Sequence, residues 1–429
     1  MDGVISQSTQ ELLRPGPCED VYYADPKTAK KACWRTTLNT RFTQSLTNLT
    51  QGVSQFTLPP AAGYSDIIVA FQMPSFTLGE AADIAVNKGF GYDLINRISY
   101  RIGGSSQYFI SGAQNKLLAL KNSPDAASRD AILSLGGPAI TTAQGWADYG
   151  ANNWAYVVLS IPGTIPSASN KSVPIPSDLL SQQIVITLEL NPLSSVISVN
   201  GSGTIAGKVL QSAFFQAQQV ELTNMADALA RRVDMTTHSY SMPVIFTQQE
   251  TAINLGNSAT SQQVNLTGFR SGEVRSIDLW LTKTTDAVPS SGGTLNPGFW
   301  YAPFGVQVSY AGQILMRADA NTGALINLIN QKQTSQVAAS YLSFAGGSYT
   351  ANARDSKWLS VPLAQSTDEP SYETTYTSGL EVTNGIIQVA LTTADYRGLP
   401  TAAADYVLHA SYNYNSVLVF SQGTADFAF

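Results

Sequence analysis

The sequence predicts an all-β protein built as two tandem eight-stranded jelly-roll barrels with long loops and a few short helices. Three observations carry that expectation: a low-charge, turn-rich composition, period-two alternation along most of the chain, and a repeat about half the chain long. Of the 429 residues 13% are charged and 44% hydrophobic, with 33 Gly and 20 Pro. Charge at about half the usual ~25%, replaced by Ser, Thr, Asn, Gln and Tyr, excludes a soluble helical bundle. At roughly 100–200 residues per domain, the length suits two domains with a proper core each.

The strands read in order as Phe56–Leu58, Ile67–Phe71, Ile95–Ile102, Tyr156–Ile161, Ile184–Leu190 and Phe214–Leu222. Each is rich in β-branched and aromatic side chains and bounded by Gly, Pro, Asn or Ser. Helical patterning is confined to Gln114–Leu120, Ser128–Leu135, Leu179–Gln182, Ala226–Arg232 and Thr322–Ile329.

The second half then repeats the first. Gln55-Phe56-Thr57-Leu58 returns as Gln263-Val264-Asn265-Leu266, and the strand around Ile67–Phe71 returns around Ile277–Trp280. Arg97-Ile98-Ser99-Tyr100 before Gly103-Gly104 returns as Gln307-Val308-Ser309-Tyr310 before Gly312. A short helix follows in each half, containing Lys116-Leu117-Leu118 and Ala324-Leu325-Ile326. Leu159-Ser160-Ile161-Pro162 matches Leu359-Ser360-Val361-Pro362, Ile184–Leu188 matches Ile387–Leu391, and Phe214–Leu222 matches Val407–Tyr414. The matches stay collinear while their offset drifts, as a tandem duplication requires. Each half then holds seven or eight strands with a long excursion at about 105–153 and 311–356, which fits an eight-stranded jelly roll with extended loops.

The expected division is an N-terminal arm at 1–40, a first barrel at 41–225, a linker helix at 226–238 and a second barrel at 239–429. The linker is marked by the charge cluster Asp227, Arg231, Arg232 and Asp234.

Charge and cysteine content narrow the function classes. A formal net charge of −6, with 24 Lys+Arg against 30 Asp+Glu and no basic block, argues against a phosphate-binding surface. Cys18 and Cys33 cannot staple so long a chain or form a four-ligand zinc site, and their redox state stays open. No run reaches the ~18–20 apolar residues of a membrane span, and Met1–Gln7 lacks the basic start and apolar core of a secretory signal.

Catalytic constellations are sparse. The only histidines are His238, in the linker, and His409, in an alternating strand, and no Gly-x-Ser-x-Gly elbow accompanies them. Asp368, Glu369, Glu373 and Glu381 are the carboxylates a β-sandwich glycosidase could pair, but most sit in a Thr/Ser-rich loop around Pro370. Asp319-Ala320-Asn321-Thr322-Gly323 imitates the start of a calcium loop, yet its twelfth position is Asn330, so a helix cap at Asn321 or Thr322 is the better reading. Gly103-Gly104 and Gly346-Gly347 read as turns, and Phe299-Trp300-Tyr301 as a buried anchor or subunit contact. Asn48, Asn170, Asn200 and Asn265 match the glycosylation pattern at about chance frequency, and no glycans are expected. No residue is assigned a catalytic, cofactor-binding or metal-ligating role, and no enzyme activity is expected.

The tandem barrels, the Ile95–Gly104 strand and turn, and Tyr240-Ser241-Met242-Pro243-Val244 opening the second barrel resemble the double jelly-roll major capsid proteins of tailless icosahedral double-stranded DNA viruses, the lineage of adenovirus hexon. The resemblance spans about residues 40–425. It implies a homotrimer whose six similar barrels form a pseudo-hexagonal capsomer. Its partners would be neighbouring capsomers, minor and penton capsid proteins, and in some members an internal membrane beneath the shell. It places the protein in the virion, assembled inside the host cell, and makes 105–153 and 280–300, with the turn-rich Asp286–Gly293, tower or inter-subunit loops. In the first 35 residues Arg14, Lys27, Lys30, Lys31 and Arg35 are balanced by Asp2, Glu11, Glu19, Asp20 and Asp25, so no direct contact with nucleic acid is expected. A secreted two-domain β-sandwich adhesin or carbohydrate-binding protein, or a glycoside hydrolase, is the alternative.

Overall fold

The computed structural model describes residues 39–45, 52–121, 126–140, 142–150, 153–161, 175–199, 205, 207–220, 233, 239–255, 261–283, 305–318, 358–363, 379–383, 385–392 and 406–429. In the first half these form β1 (Asn39–Ser45), β2 (Val53–Leu58), β3 (Gly63–Gln72), α1 (Leu78–Ala82), β4 (Ile84–Ala85), α2 (Phe90–Asp93), β5 (Ile95–Arg101) and β6 (Tyr108–Ser111). They continue with α3 (Gly112–Lys121), α4 (Ala126–Leu135), α5 (Ala143–Gly150), β7 (Trp154–Val158), β8 (Ile184–Leu190), β9 (Ser198–Val199) and β10 (Ser212–Val220). The second half holds β11 (Tyr240–Gln249), β12 (Ile253–Asn254), β13 (Ser261–Leu266), β14 (Gly272–Lys283), β15 (Gly305–Tyr310) and β16 (Gln313–Ala318). It ends with β17 (Leu359–Pro362), β18 (Leu380–Val382), β19 (Ile387–Thr392), β20 (Tyr406–Ser421) and β21 (Thr424–Ala428).

The duplication is visible in the topology. One sheet of the first half runs β1-β10-β3-β7 and the other β2-β8-β5-β6; in the second half the orders are β11-β20-β14-β17 and β13-β19-β15-β16. Strand for strand these are the same two sheets, all antiparallel, and each pair closes a barrel as expected of a jelly roll. Small strands decorate the frame: β4 pairs with β9, and β12, β18 and β21 extend the larger sheet of the second barrel.

Alternation builds each core. In β2 Ser54, Phe56 and Leu58 are buried while Val53 and Gln55 are exposed, and in β8 Ile184, Ile186 and Leu188 point inward. Phe56 stacks on Phe215 of β10 across the gap between sheets. In the second barrel Val264, Val308, Val389 and Leu391 of one sheet are buried together with Ile277, Leu279, Leu408 and Ala410 of the other. One contiguous apolar cluster runs through both barrels.

Several local expectations need correction. Leu179–Gln182 is a turn, not a helix: Ser181 gives both its backbone N–H (2.7 Å) and its hydroxyl (2.9 Å) to the carbonyl of Gly423, which ties the segment to the second barrel instead of to its own next turn. The helices α1 and α2 are too short to show a period in sequence, and α5 carries two glycines and two aromatics that are weak helix formers. Packing overrides that weakness, because buried Trp146 donates from Nε1 to the Ile84 carbonyl at 2.7 Å. The excursion at 105–153 is not all tower, since α3 lies inside the molecule, and 280–283 belongs to β14. The strand β1 starts two residues ahead of the expected barrel boundary at 41. Residues 1–38 with Cys18 and Cys33, the linker at 226–238 apart from Val233, Thr322–Ile329 and Asp286–Gly293 lie outside the described residues.

Candidate functional site

The feature that distinguishes this chain from two independent barrels is the seam between them, and α3 builds it. The helix begins with no room for a side chain: a Cβ on Gly112 would sit 1.7 Å from the carbonyl oxygen of Ile95. Ser111 caps the first turn by accepting the Gln114 backbone N–H at 3.1 Å, and it also hydrogen-bonds Gln249 of β11.

Side chains on opposite flanks of α3 then serve different barrels. Asn115 donates to the Val158 carbonyl (3.0 Å) and accepts from the Ser160 N–H (2.7 Å), and Lys116 pairs with Asp93 at 3.0 Å, all within the first barrel. Burial pushes the Asp93 carboxyl up and the Lys116 ammonium opposes that. Gln114 and Lys121, two helical turns apart and therefore on one face, reach the second barrel. Gln114 Nε2 donates to Ser411 Oγ at 3.0 Å. Lys121 Nζ lies 2.9 and 3.2 Å from the two oxygens of Asp278 and 3.2 Å from Ser276 Oγ.

The receiving surface is the outer face of β14 and β20. Ile277, Leu279 and Leu281 with Leu408, Ala410 and Tyr412 face the core, so Ser276, Asp278, Ser411 and Asn413 face away from it, yet each is 3% exposed or less. A sheet face patterned as though for water is dry because the first barrel covers it. Asp278 is satisfied throughout: besides Lys121 it accepts from Asn413 Nδ2 (2.7 Å) and Ser360 Oγ. A buried carboxylate with a cation and several donors meets the condition under which burying charge is tolerable.

A second cluster closes one end of the seam. Tyr108 stacks edge-on against Phe246 and Phe427 and donates its hydroxyl to Asp426, and Arg270 lies over Phe246 (5.2 Å) and Phe429 (4.7 Å). Burial, then the Asp426 acceptor, keeps the Tyr108 phenol protonated beyond its ordinary range. Beside it opens a cleft of about 650 Å³ lined by Arg97, Phe109, Glu189, Phe246, Gln249 and Arg270. Arg97 pairs with Glu189 and covers the Phe109 ring at 4.8 Å. The cleft brings together the Arg97–Glu189 ion pair, the Arg270 guanidinium and the Phe109 and Phe246 ring faces.

The residues weighed from sequence fall elsewhere. His409 stacks on Trp280 with the rings 7° from parallel and hydrogen-bonds Thr282 through Nε2 at 2.9 Å. Burial lowers its pKa to about 4. Glu381 is exposed in β18 and Asn265 exposed in β13, while Gly103 and Gly104 form a turn with φ of 55° and 84°. His238, Asp368, Glu369, Glu373, the 319–323 and 299–301 segments, Gly346-Gly347, Asn48, Asn170 and Asn200 lie outside the described residues. Among the described residues no three His, Cys, Asp or Glu side chains gather as a metal site, and no helix is long and apolar enough to cross a membrane.

Sequence reasoning missed Gln114, Lys121 and Asp278. The signal was present in Ser411-Tyr412-Asn413-Tyr414-Asn415, whose polar side reads as solvent-facing until a partner is known.

No protein-family model and no curated protein sequence matches the chain. Solved structures do. The PBCV-1 virus capsid matches with a TM-score of 0.59 at 12% identity, over 92% of this chain and 97% of that one. The PBCV-1 capsid protein placed in the virophage Sputnik matches at 0.58 and 10%, over 91% and 97%. The Faustovirus major capsid protein matches at 0.50 and 9%, over 90% and 91%. The chain therefore has the double jelly-roll fold of those proteins.

Proposed function

We propose that this chain is the major capsid protein of an icosahedral double-stranded DNA virus, located in the virion and working as a homotrimeric, pseudo-hexagonal capsomer. The observation that carries the reading is the identical strand order of both sheets in both halves. Two like barrels per chain and three chains per ring give six similar wedges, which tile a facet; closed cyclic symmetry supplies the three and the duplication the two. The seam of buried contacts between the barrels supports it, because a capsomer needs its barrels held against one another. The full-length likeness to solved capsid proteins supports it independently of sequence.

On this reading 1–38 is an arm, 39–225 and 239–429 are the barrels and 226–238 joins them. Neighbouring capsomers and minor or penton capsid proteins are the partners, with a membrane beneath the shell in members that have one, and the genome is not touched directly. The shell role needs no catalysis, cofactor or metal. Mass photometry tests it: a stable particle near three times 45.8 kDa that electron microscopy shows as pseudo-hexagonal supports the reading. A chain that stays monomeric at all concentrations overturns it.

A further inference from the structure

The cleft beside Tyr108 holds polar groups that the chain itself leaves unfinished. Of the three charged side chains in its lining, Arg97 and Glu189 pair with each other, and Arg270 has no carboxylate partner among the described residues. Its guanidinium is exposed and rests on the Phe246 and Phe429 rings at 5.2 and 4.7 Å, which orients the plane and leaves its N–H donors without an acceptor there. Asp426, the acid bound to Tyr108, is engaged by that hydroxyl and by the Phe427 N–H at 2.9 Å. Gln114 is fully buried; its Nε2 is engaged by Ser411, and its Oε1 accepts no hydrogen bond among the described residues. Gln248 repeats the pattern, with Nε2 on the Gly268 carbonyl and a buried Oε1 that accepts none. Leaving buried acceptors unsatisfied is costly, and two in one cleft call for an occupant that brings donors. The walls add backbone. Among the described residues β6 pairs only with β5 and β11 only with β20, so two sheet edges border the cleft through Tyr108, Phe109, Thr247 and Gln248.

From this we infer that the cleft binds an extended acidic segment of a second protein. An Asp or Glu carboxylate of that segment pairs with Arg270, its backbone N–H groups reach Oε1 of Gln114 and Gln248, and its main chain hydrogen-bonds the open edge of β6 or β11. The donor and acceptor pattern selects this chemistry. A phosphate or sulfate brings acceptors alone and a neutral sugar brings no charge, whereas a peptide with one acid supplies both the carboxylate and the N–H donors. The volume of about 650 Å³ lies within the ~300–1,000 Å³ of clefts that enclose a ligand. The site is built within one chain, so it stands independently of the capsomer reading.

The test pans the full chain against a display library of random heptapeptides. Peptides with Asp or Glu at one fixed position should be enriched, and a synthetic peptide of the consensus should bind in fluorescence anisotropy. Arg270→Gln, or replacement of the peptide's acid by its amide, should each weaken binding about tenfold or more, and the two together no further. Phe109→Glu, at a 48% exposed position in the lining, should repel the peptide, and Val209→Asp, exposed and outside the lining, should leave binding unchanged. Circular dichroism and melting curves establish that each variant folds. No enrichment, or an enriched peptide that binds R270Q as well as wild type, overturns the inference. Free glutamate that competes as well as the peptide also overturns it, since the cleft would then be a small-molecule site. Mass photometry of the same samples keeps the two readings apart: a monomer that binds acidic peptides removes only the capsomer reading, and a trimer that binds none removes only this one.

Discussion

Lys121 Nζ lies 2.9 Å from Oδ2 of Asp278, and the two residues belong to different barrels, 157 positions apart in the chain. Asp278 is fully buried and Lys121 nearly so. Removing one partner of such a pair leaves an uncompensated charge in a dry site, which costs about 3–5 kcal/mol. Lys121→Met should lower the unfolding free energy by about that amount in urea titrations. Lys121→Met with Asp278→Asn should recover most of the loss, because the amide keeps polar groups facing Ser360 and Asn413 without the charge.

Tyr108 joins the barrels through one hydroxyl and one ring. Tyr108→Phe keeps the ring packed on Phe246 and Phe427 and loses the bond to Asp426. A hydrogen bond to a charged group contributes about 1.5–3 kcal/mol. Calorimetry should show that loss, and combining Tyr108→Phe with Lys121→Met should split one melting transition into two as the barrels uncouple.

Two glycines in helices should respond oppositely to alanine. Gly112→Ala drives a methyl into the Ile95 backbone and should destabilise by about 3 kcal/mol or more, at the upper end of overpacking. A Cβ added to Gly79 in α1 would meet nothing within 4 Å, so Gly79→Ala should stabilise by about 0.5–1 kcal/mol through helix propensity. Paired thermal melts decide it.

His409 gives the fold an acid-side dependence. With its folded pKa lowered to about 4 against an ordinary 6.5, the imidazole is neutral in the native state where the unfolded chain would take up a proton. The associated stability is complete above pH 6.5 and is lost as pH falls toward 4, about 3 kcal/mol in all. His409→Phe keeps a ring on Trp280, and its unfolding free energy should fall less steeply between pH 6.5 and 4 than that of wild type.

On the alkaline side Tyr414, pushed up to about 12 mainly by burial, works with the opposite sign. The unfolded chain ionises first near pH 10, so native stability is present below that and declines as pH rises toward 12. Tyr414→Phe should flatten that decline, measured by urea midpoints between pH 9 and 12.

The matched core strands were legible in the sequence because alternation marks each of them and the repeat marks its counterpart in the other half. Residue-level register was not. Leu58 faces Ile184 and Leu266 faces Ile387, in keeping with the matched segments, but Tyr100 faces Ile186 while Tyr310 faces Ile387, two residues out. Part of the cause is a bulge at Ile95/Arg97 in β5 that β15 lacks. A slip of two preserves which side chains point inward, so period-two patterning cannot detect it.

The seam was illegible for a related reason. Alternation says that Asp278 and Asn413 leave the core; it does not say whether they meet water or another barrel. Lys121 and Gln114 look like ordinary surface residues of a short helix, and only the chain path from β6 into α3 brings them against β14 and β20.

The mixed make-up of the seam, polar along α3 and aromatic at one end, bears on synthesis. When the ribosome has released the first barrel but not the second, the flank of α3 still awaiting its partner offers Gln114 and Lys121 to its surroundings with Leu118 between them on the same face, and Tyr108 waits on the neighbouring strand. A half-made chain therefore holds polar anchors and a few apolar side chains in water together, and the arrival of β14, β20 and β21 covers both at once.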